Sequence, residues 1–278
     1  AFRRAHPEAG VVTQPRMTVR FAAVTHPGLA RPDNEDACLA VPPVFLVADG
    51  MGGHEGGERA SGEVRRRFQE SCAGEWLSGA EITRIGRRAA DNIESLEHRG
   101  RPPGSTVAGV ALARYAGTPC WLVFNIGDSR VYLMRSGELR QISVDHSVGS
   151  HSGKGDRPRL TRALGAGLGS PVADQWLIRA RVGDRMLVCT DGLSNAVARE
   201  QLAAAMVGDD DPQETVQRLL DEALAAGGRD NVSLAVVDCL EVIQVAGGEL
   251  DDVMSLDESE EETVSWNHDD TIPDPEGK

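Results

Sequence analysis

Ser105-Thr-Val-Ala-Gly-Val-Ala-Leu-Ala-Arg114, Trp121-Leu-Val-Phe-Asn-Ile126, Val131-Tyr-Leu-Met-Arg135 and Leu139-Arg-Gln-Ile142 succeed one another with only short polar breaks. Runs of this length and apolar character, set close together, read as consecutive β-strands. Arg135-Ser-Gly-Glu138 has the chemistry of a hairpin turn between the last two. On the N-terminal side, Thr18 to His26 alternates as a strand, Val44 to Ala48 is a short apolar strand, and two helices are expected over Glu55 to Ser71 and Ile82 to Glu97. On the C-terminal side come strands at Gln175 to Arg181 and Arg185 to Cys189, then helices at Glu200 to Met206 and Gln213 to Ala226. The longer helix opens on Asp211-Pro212, an N-cap followed by a first-turn proline. Val232 to Val245 closes the series as one or two strands. Strands and helices come in groups rather than as repeating βαβ units, and no internal repeat interrupts them. The pattern predicts an α+β layered fold, with antiparallel sheets packed together and helices outside.

The 278 residues are 40% hydrophobic and 26% charged, ordinary globular values that exclude a wholly disordered chain. No apolar run approaches the ~18 to 20 residues that a membrane helix needs. The net charge of -14 is uneven: Glu249 to Lys278 holds twelve acids and one base, which leaves a nearly neutral body. Neither part offers the basic footprint of a nucleic-acid binder. The five cysteines, Cys38, Cys72, Cys120, Cys189 and Cys239, form no CxxC pair, and buried reduced thiols in a cytoplasmic protein are expected. The first residues lack an apolar signal-peptide core. Residues 1–16 are expected to be a disordered arm or cloning remnant before a natural start at Met17; 17–246 form the domain, and 247–278 an acidic disordered tail.

Val44-Phe-Leu-Val-Ala-Asp49-Gly50 and Met186-Leu-Val-Cys-Thr-Asp191-Gly192 share a design, an apolar strand ending abruptly in Asp-Gly. One copy would be a turn signal; two matched copies point to aspartates held at the lip of a core, with glycine letting the chain come close to a ligand. Arg31-Pro-Asp-Asn-Glu35-Asp36, Gly127-Asp128 and Asp230-Asn231 add carboxylates at other strand ends. Gathering like charges is costly unless cations neutralise them. An oxygen donor set without His or Cys suits Mg²⁺ or Mn²⁺ rather than zinc. Two such ions about 3.5 to 4 Å apart can bridge a water, lower its pKa and aim it in line at phosphorus.

ARPDNEDA, VADGMGGHEGGERAS, GSTVAGVAL, NIGDSRVY, VDHS, LTRALG, CTDGLSN and GGRDNVS, in that order, resemble the motifs of the metal-dependent serine/threonine protein phosphatases of type 2C, in a bacterial form. The resemblance covers Thr18 to Asp238. It implies a four-layer α-β-β-α sandwich, two mainly antiparallel sheets flanked by helix pairs, with two Mn²⁺ or Mg²⁺ ions in the cleft between the sheets. It assigns Asp49 to bridge both metals with the Gly50 carbonyl beside it, and Asp191 and Asp230 to the second metal. Glu35 and Asp36 would orient metal-bound waters or ligate through them, and Arg31 would grip the phosphate. Asp128, with Asp191, matches the place of a third, weaker metal, and Asn231 would support the shell by hydrogen bonding. The implied activity is hydrolysis of phosphoserine and phosphothreonine by a metal-bridged water, opposing a bacterial Ser/Thr kinase in signalling. The partners would be phosphoproteins and that kinase, with no nucleic acid or membrane, and the chain a monomer.

Two features depart from the family pattern. Met51 stands where eukaryotic relatives have a histidine proposed as general acid, which leaves a metal-bound water, His54 or His146 as proton donors. The loop from Ser147 to Pro158 is short and rich in glycine and serine, so substrate choice does not transfer. Alternatives with the same sequence are a binding module of weak activity and a phosphatase specialised for one regulatory protein. In the tail, Thr263 and Thr271 follow paired acids, which suggests phosphorylation sites; a second reading has the polyanion folding over the cleft.

Overall fold

Two-residue turns set the register of the central strands. Ala116-Gly117 and Ser136-Gly137 all have positive φ, the geometry whose twist matches that of the strands it joins. The first turn joins Val107–Tyr115 to Thr118–Ile126, and the second joins Arg130–Arg135 to Glu138–Gln141. The computed structural model describes residues 8–14, 17–98, 100–149, 159–168, 172–208, 210–243 and 253–256.

In chain order, β1 (Glu8–Gln14), β2 (Met17–His26), β3 (Asp36–Val41) and β4 (Val44–Met51) precede helices α1 (His54–Glu70) and α2 (Gly79–Glu94). Next come β5 (Gly104–Ser105), β6 (Val107–Tyr115), β7 (Thr118–Ile126), β8 (Arg130–Arg135) and β9 (Glu138–Gln141). Short strands β10 (Ser147–Val148), β11 (Arg159–Leu160) and β12 (Leu164–Gly165) lead to β13 (Asp174–Arg179) and β14 (Arg185–Cys189). Helices α3 (Asp191–Ser194), α4 (Arg199–Met206) and α5 (Pro212–Ala225) are followed by β15 (Val232–Val242) and β16 (Val253–Ser255). One sheet runs β1-β2-β15-β14-β8-β9; the other runs β12-β5-β4-β6-β7-β13-β16, with β3 beside β4, and every pair is antiparallel.

Side chains on successive residues take opposite faces, and both faces of each sheet are covered. On β4, Phe45 and Val47 point into the core between the sheets, while Val44, Leu46 and Ala48 pack under α1 and α2. On β14, Met186 and Val188 point into the same core between the sheets, and Leu187 and Cys189 pack under α4 and α5. The result is the expected four layers. Sheets covered on both faces have unbroken apolar strands, which explains why Val44 to Ala48 shows no alternation. Helix α2 starts three residues before the expected Ile82, because Ser78 and Glu81 form a reciprocal capping box.

Several expectations need correction. Glu8–Gln14, placed in a disordered arm, pairs along β2 as an edge strand. Val253–Ser255, placed in a disordered tail, pairs with Trp176 to Ile178 of β13. Both are short edge segments whose pairing rests on backbone hydrogen bonds, which leave no apolar pattern in sequence. The single strand expected from Ser105 breaks at Thr106, which turns its hydrogen bonds to Asp49. The remaining residues of the loop at 150–158, the arm at 1–7, and the tail with Thr263 and Thr271 lie outside the described residues. Among the described residues no helix is long and apolar enough to cross a membrane.

Candidate functional site

Strand β4 is fully buried up to Ala48, and Asp49 emerges at its end directly opposite Asp36 of β3. Thr106 clamps this point: its Oγ1 accepts the Asp49 N–H at 3.0 Å, and its own N–H donates to the Asp49 carbonyl at 2.9 Å. The same hydroxyl lies 2.8 Å from Ser129 Oγ, which ties Asp128 on the neighbouring turn to the same place. Gly50 donates its N–H to the Glu35 carbonyl, and a Cβ there would stand 2.2 Å from the Gly57 carbonyl oxygen of α1. Only glycine permits that approach.

The other sheet supplies the opposite wall. Thr190 follows β14 and donates its hydroxyl to Asp36 Oδ2 at 2.9 Å; Asp191 then opens α3. A Cβ on Gly192 would stand 1.8 Å from the Asn231 carbonyl oxygen, so α3 and the start of β15 meet backbone to backbone. The Asn231 side chain joins three segments: its Nδ2 donates to the carbonyls of Pro27 and Asp33, and its Oδ1 accepts the Glu35 N–H. Asp230 accepts its own neighbour's N–H on Oδ1 and the Arg31 guanidinium on Oδ2 at 2.9 Å. Asn195 Nδ2 donates to Asp191 Oδ2 at 3.1 Å.

Arg31, Glu35, Asp49, Gly50, Asp128, Asp191 and Asp230 all line one cleft of about 1050 Å³ between the sheets, and Asp36 sits buried behind it. The charge crowding is severe. Burial, then repulsion from Asp36, Asp191, Asp128 and Asp230, pushes the Asp49 carboxyl far above the usual range. Burial raises Asp36 to about 7 against the hydroxyls of Ser233 and Thr190, with Asp191 and Asp230 adding to the rise. Burial and Asp191 raise Asp128 to about 7.

This donor set fits hard divalent cations: oxygen only, negative, desolvated and mutually repelling. Among the described residues no three side chains yet stand as a closed cage, and Asp230 is held by Arg31, so the fit lies in chemistry and burial rather than in finished geometry. Among the described side chains no histidine lines the cleft. The buried His146 accepts the Gly127 N–H on Nδ1, which leaves its Nε2–H to donate to Asp174 Oδ2 at 2.9 Å. The His54 side chain lies outside the described residues. Sequence reasoning missed Thr106, Ser129, Thr190 and Asn195, whose types mark no chemistry until the fold brings them beside the aspartates. It also missed three arginines at the cleft mouth.

Comparison with known proteins places this arrangement. Serine/threonine protein phosphatase PstP of Mycobacterium tuberculosis is 34% identical over 244 residues, or 81% of this chain, and this chain spans about half of that relative, 46%. Serine/threonine phosphatase stp of Listeria welshimeri is 29% identical over 70% of this chain and 84% of its own length. The crystal structure of the PstP catalytic domain with two manganese ions superposes with a TM-score of 0.68 at 31% identity, covering 80% of this chain and 99% of that one. A family-wide sequence model, Protein phosphatase 2C, matches residues 32–225. That span runs from beside Arg31 to the last turn of α5 and includes both Asp-Gly strand ends, and the chain belongs to the protein phosphatase 2C family.

Proposed function

We propose that this chain is a metal-dependent protein phosphatase that hydrolyses phosphoserine and phosphothreonine. One observation carries the reading: carboxylates from both sheets meet with an arginine in a single cleft, at a charge density that bound cations would relieve. The manganese in the PstP structure supports the choice of ion. Asp49, with the Gly50 carbonyl, and Asp191 and Asp230 would hold two Mn²⁺ or Mg²⁺ ions, with Glu35 and Asp36 orienting the water around them and Asp128 offering a third position. When bound, the ions supply an activated water nucleophile at neutral pH and absorb charge from the phosphoryl group.

The chain's own residues do the rest. Thr106 holds the Asp49 backbone from both sides, so the carboxylate keeps its aim. Arg31 exchanges Asp230 for the substrate phosphate, for which a guanidinium offers paired, charged donors. Such a contact strengthens as charge builds on the transferring group. With Met51 apolar and His146 committed to Gly127 and Asp174, water and His54 are the donors left for the leaving alkoxide.

As partners we propose phosphoproteins and an opposing Ser/Thr kinase, with the chain acting as a monomer. Its five cysteines are free thiols, which supports a cytoplasmic setting. The test is hydrolysis of an aryl phosphate and a phosphothreonine peptide with Mn²⁺, Mg²⁺ or EDTA, for wild type and Asp49→Asn. Turnover that needs metal and disappears in the variant is expected. Folded, metal-loaded wild type that turns over neither compound would replace this reading with a binding role.

A further inference from the structure

Arg101, Arg159 and Arg229 line the mouth of the cleft, all exposed. Among the described residues none of the three has an ion-pair partner. Elsewhere in the molecule arginines at a cavity are paired, as Arg20 and Arg185 are with Asp238 and Arg135 is with Asp184.

The three backbones are held by neighbouring contacts. Arg101 precedes Pro102-Pro103, which packs on Gly52, where a Cβ would stand 2.8 Å from Pro103 Cα. The Pro103 carbonyl accepts the Ala166 N–H at 2.7 Å. Arg159 pairs with Val148 in the β10–β11 hairpin, which Thr161 fastens to the His146 carbonyl. Arg229 directly precedes Asp230, in a turn fastened by the Leu29 N–H to the Gly228 carbonyl. Arg101 thus comes from the sheet that carries Asp49 and Arg229 from the one that meets Asp230, so positive charge stands on both banks.

One phosphate has its partner in Arg31. Three further guanidiniums around it are donors for negative charge beside the phosphate. We propose that Arg101, Arg159 and Arg229 select phosphopeptides bearing Asp or Glu next to the phosphorylated residue, an inference that rests on the phosphatase reading above. The chain contains two stretches of that composition, Glu260-Glu-Glu-Thr263 and Asp269-Asp-Thr271. Exposed charges act mainly on specificity, and each pair contributes at most a few-fold. Together they should give about a tenfold preference that weakens in salt.

The test measures kcat/KM of the Mn²⁺-loaded full chain on three phosphothreonine peptides. One has the sequence of residues 257–268 phosphorylated at Thr263, one has its Asp and Glu replaced by Asn and Gln, and one has them replaced by Lys. The acidic peptide should exceed the neutral one about tenfold, and the lysine peptide should be slowest. Arg101→Glu with Arg229→Glu should shrink the ratio to about twofold, and single Arg→Gln variants at all three positions should each lower it less. Equal kcat/KM for acidic and neutral peptides, or a ratio unmoved in every arginine variant, overturns the proposal. Aryl phosphate hydrolysis by wild type, run beside these, separates that failure from failure of the phosphatase reading, which would remove the proposal with it.

Discussion

Strand β14 has a charge cluster at each end, and the two obey opposite rules. At its start, Asp184 is 1% exposed and accepts the Trp121 indole N–H, a two-pronged contact from Arg135 and the Arg181 N–H. Beside it Asp238 accepts Arg20 and two bonds from Arg185, around a cavity of about 450 Å³. Past the other end, Asp191 joins Asp49, Asp128 and Asp230 in one cleft, with Arg31 bonded to Asp230. The first cluster neutralises itself. In the second, carboxylates crowd one another around Asp49 and push its carboxyl far above the usual range. Buried charge is therefore no guide to function by itself; the informative feature is buried charge of one sign.

The largest expected effect separates the two clusters by activity. Asp49→Asn should lower kcat on an aryl phosphate by about 10³-fold or more, since metal-ion catalysis supplies several kcal/mol. Asp184→Asn should keep its kcat per folded molecule yet lose about 3–5 kcal/mol of stability by stranding Arg135, measured by urea unfolding. Arg31→Ala should lose about 10- to 100-fold in kcat/KM, the worth of one charged hydrogen bond, in steady-state assays on the same aryl phosphate.

The smallest effect is in pH. In the metal-free protein Asp36 and Asp128 keep protons to about 7 that the unfolded chain releases near 4. The folded state then binds more protons, so stability should fall as pH rises through that window. Thermal unfolding at pH 5, 6 and 7.5 with EDTA should show a declining Tm, and saturating Mn²⁺ should abolish the decline.

The layers were legible because period and grouping survive in sequence: Arg185–Cys189 is both the expected and the observed strand. Strand β3 was not, since Asp36-Ala-Cys-Leu-Ala-Val41 is short and begins with a charge. Asp49 and Asp191 were legible from Asp-Gly at the ends of apolar strands. Their supports were not: Thr106, Ser129 and Thr190 act through contacts across 23 to 154 residues of chain, which spacing does not encode. The pairing of Arg31 with Asp230, 199 residues apart, was equally invisible. Among the described residues, the arginines at the mouth stand out only against the paired ones at the other cavity, Arg20, Arg135 and Arg185.

The most direct test of the central claim is the unfolding free energy of metal-free wild type, Asp49→Asn and Asp184→Asn at pH 7.5. Removing a charge from the crowded carboxylates around Asp49 should stabilise the protein by about 1 kcal/mol or more, the worth of a single unit of pKa shift, while the same change at Asp184 destabilises it. Adding Mn²⁺ should reverse the first sign by stabilising wild type alone. A destabilised metal-free Asp49→Asn, or an equal Mn²⁺ gain in wild type and variant, would contradict the claim that the cleft is built around cations.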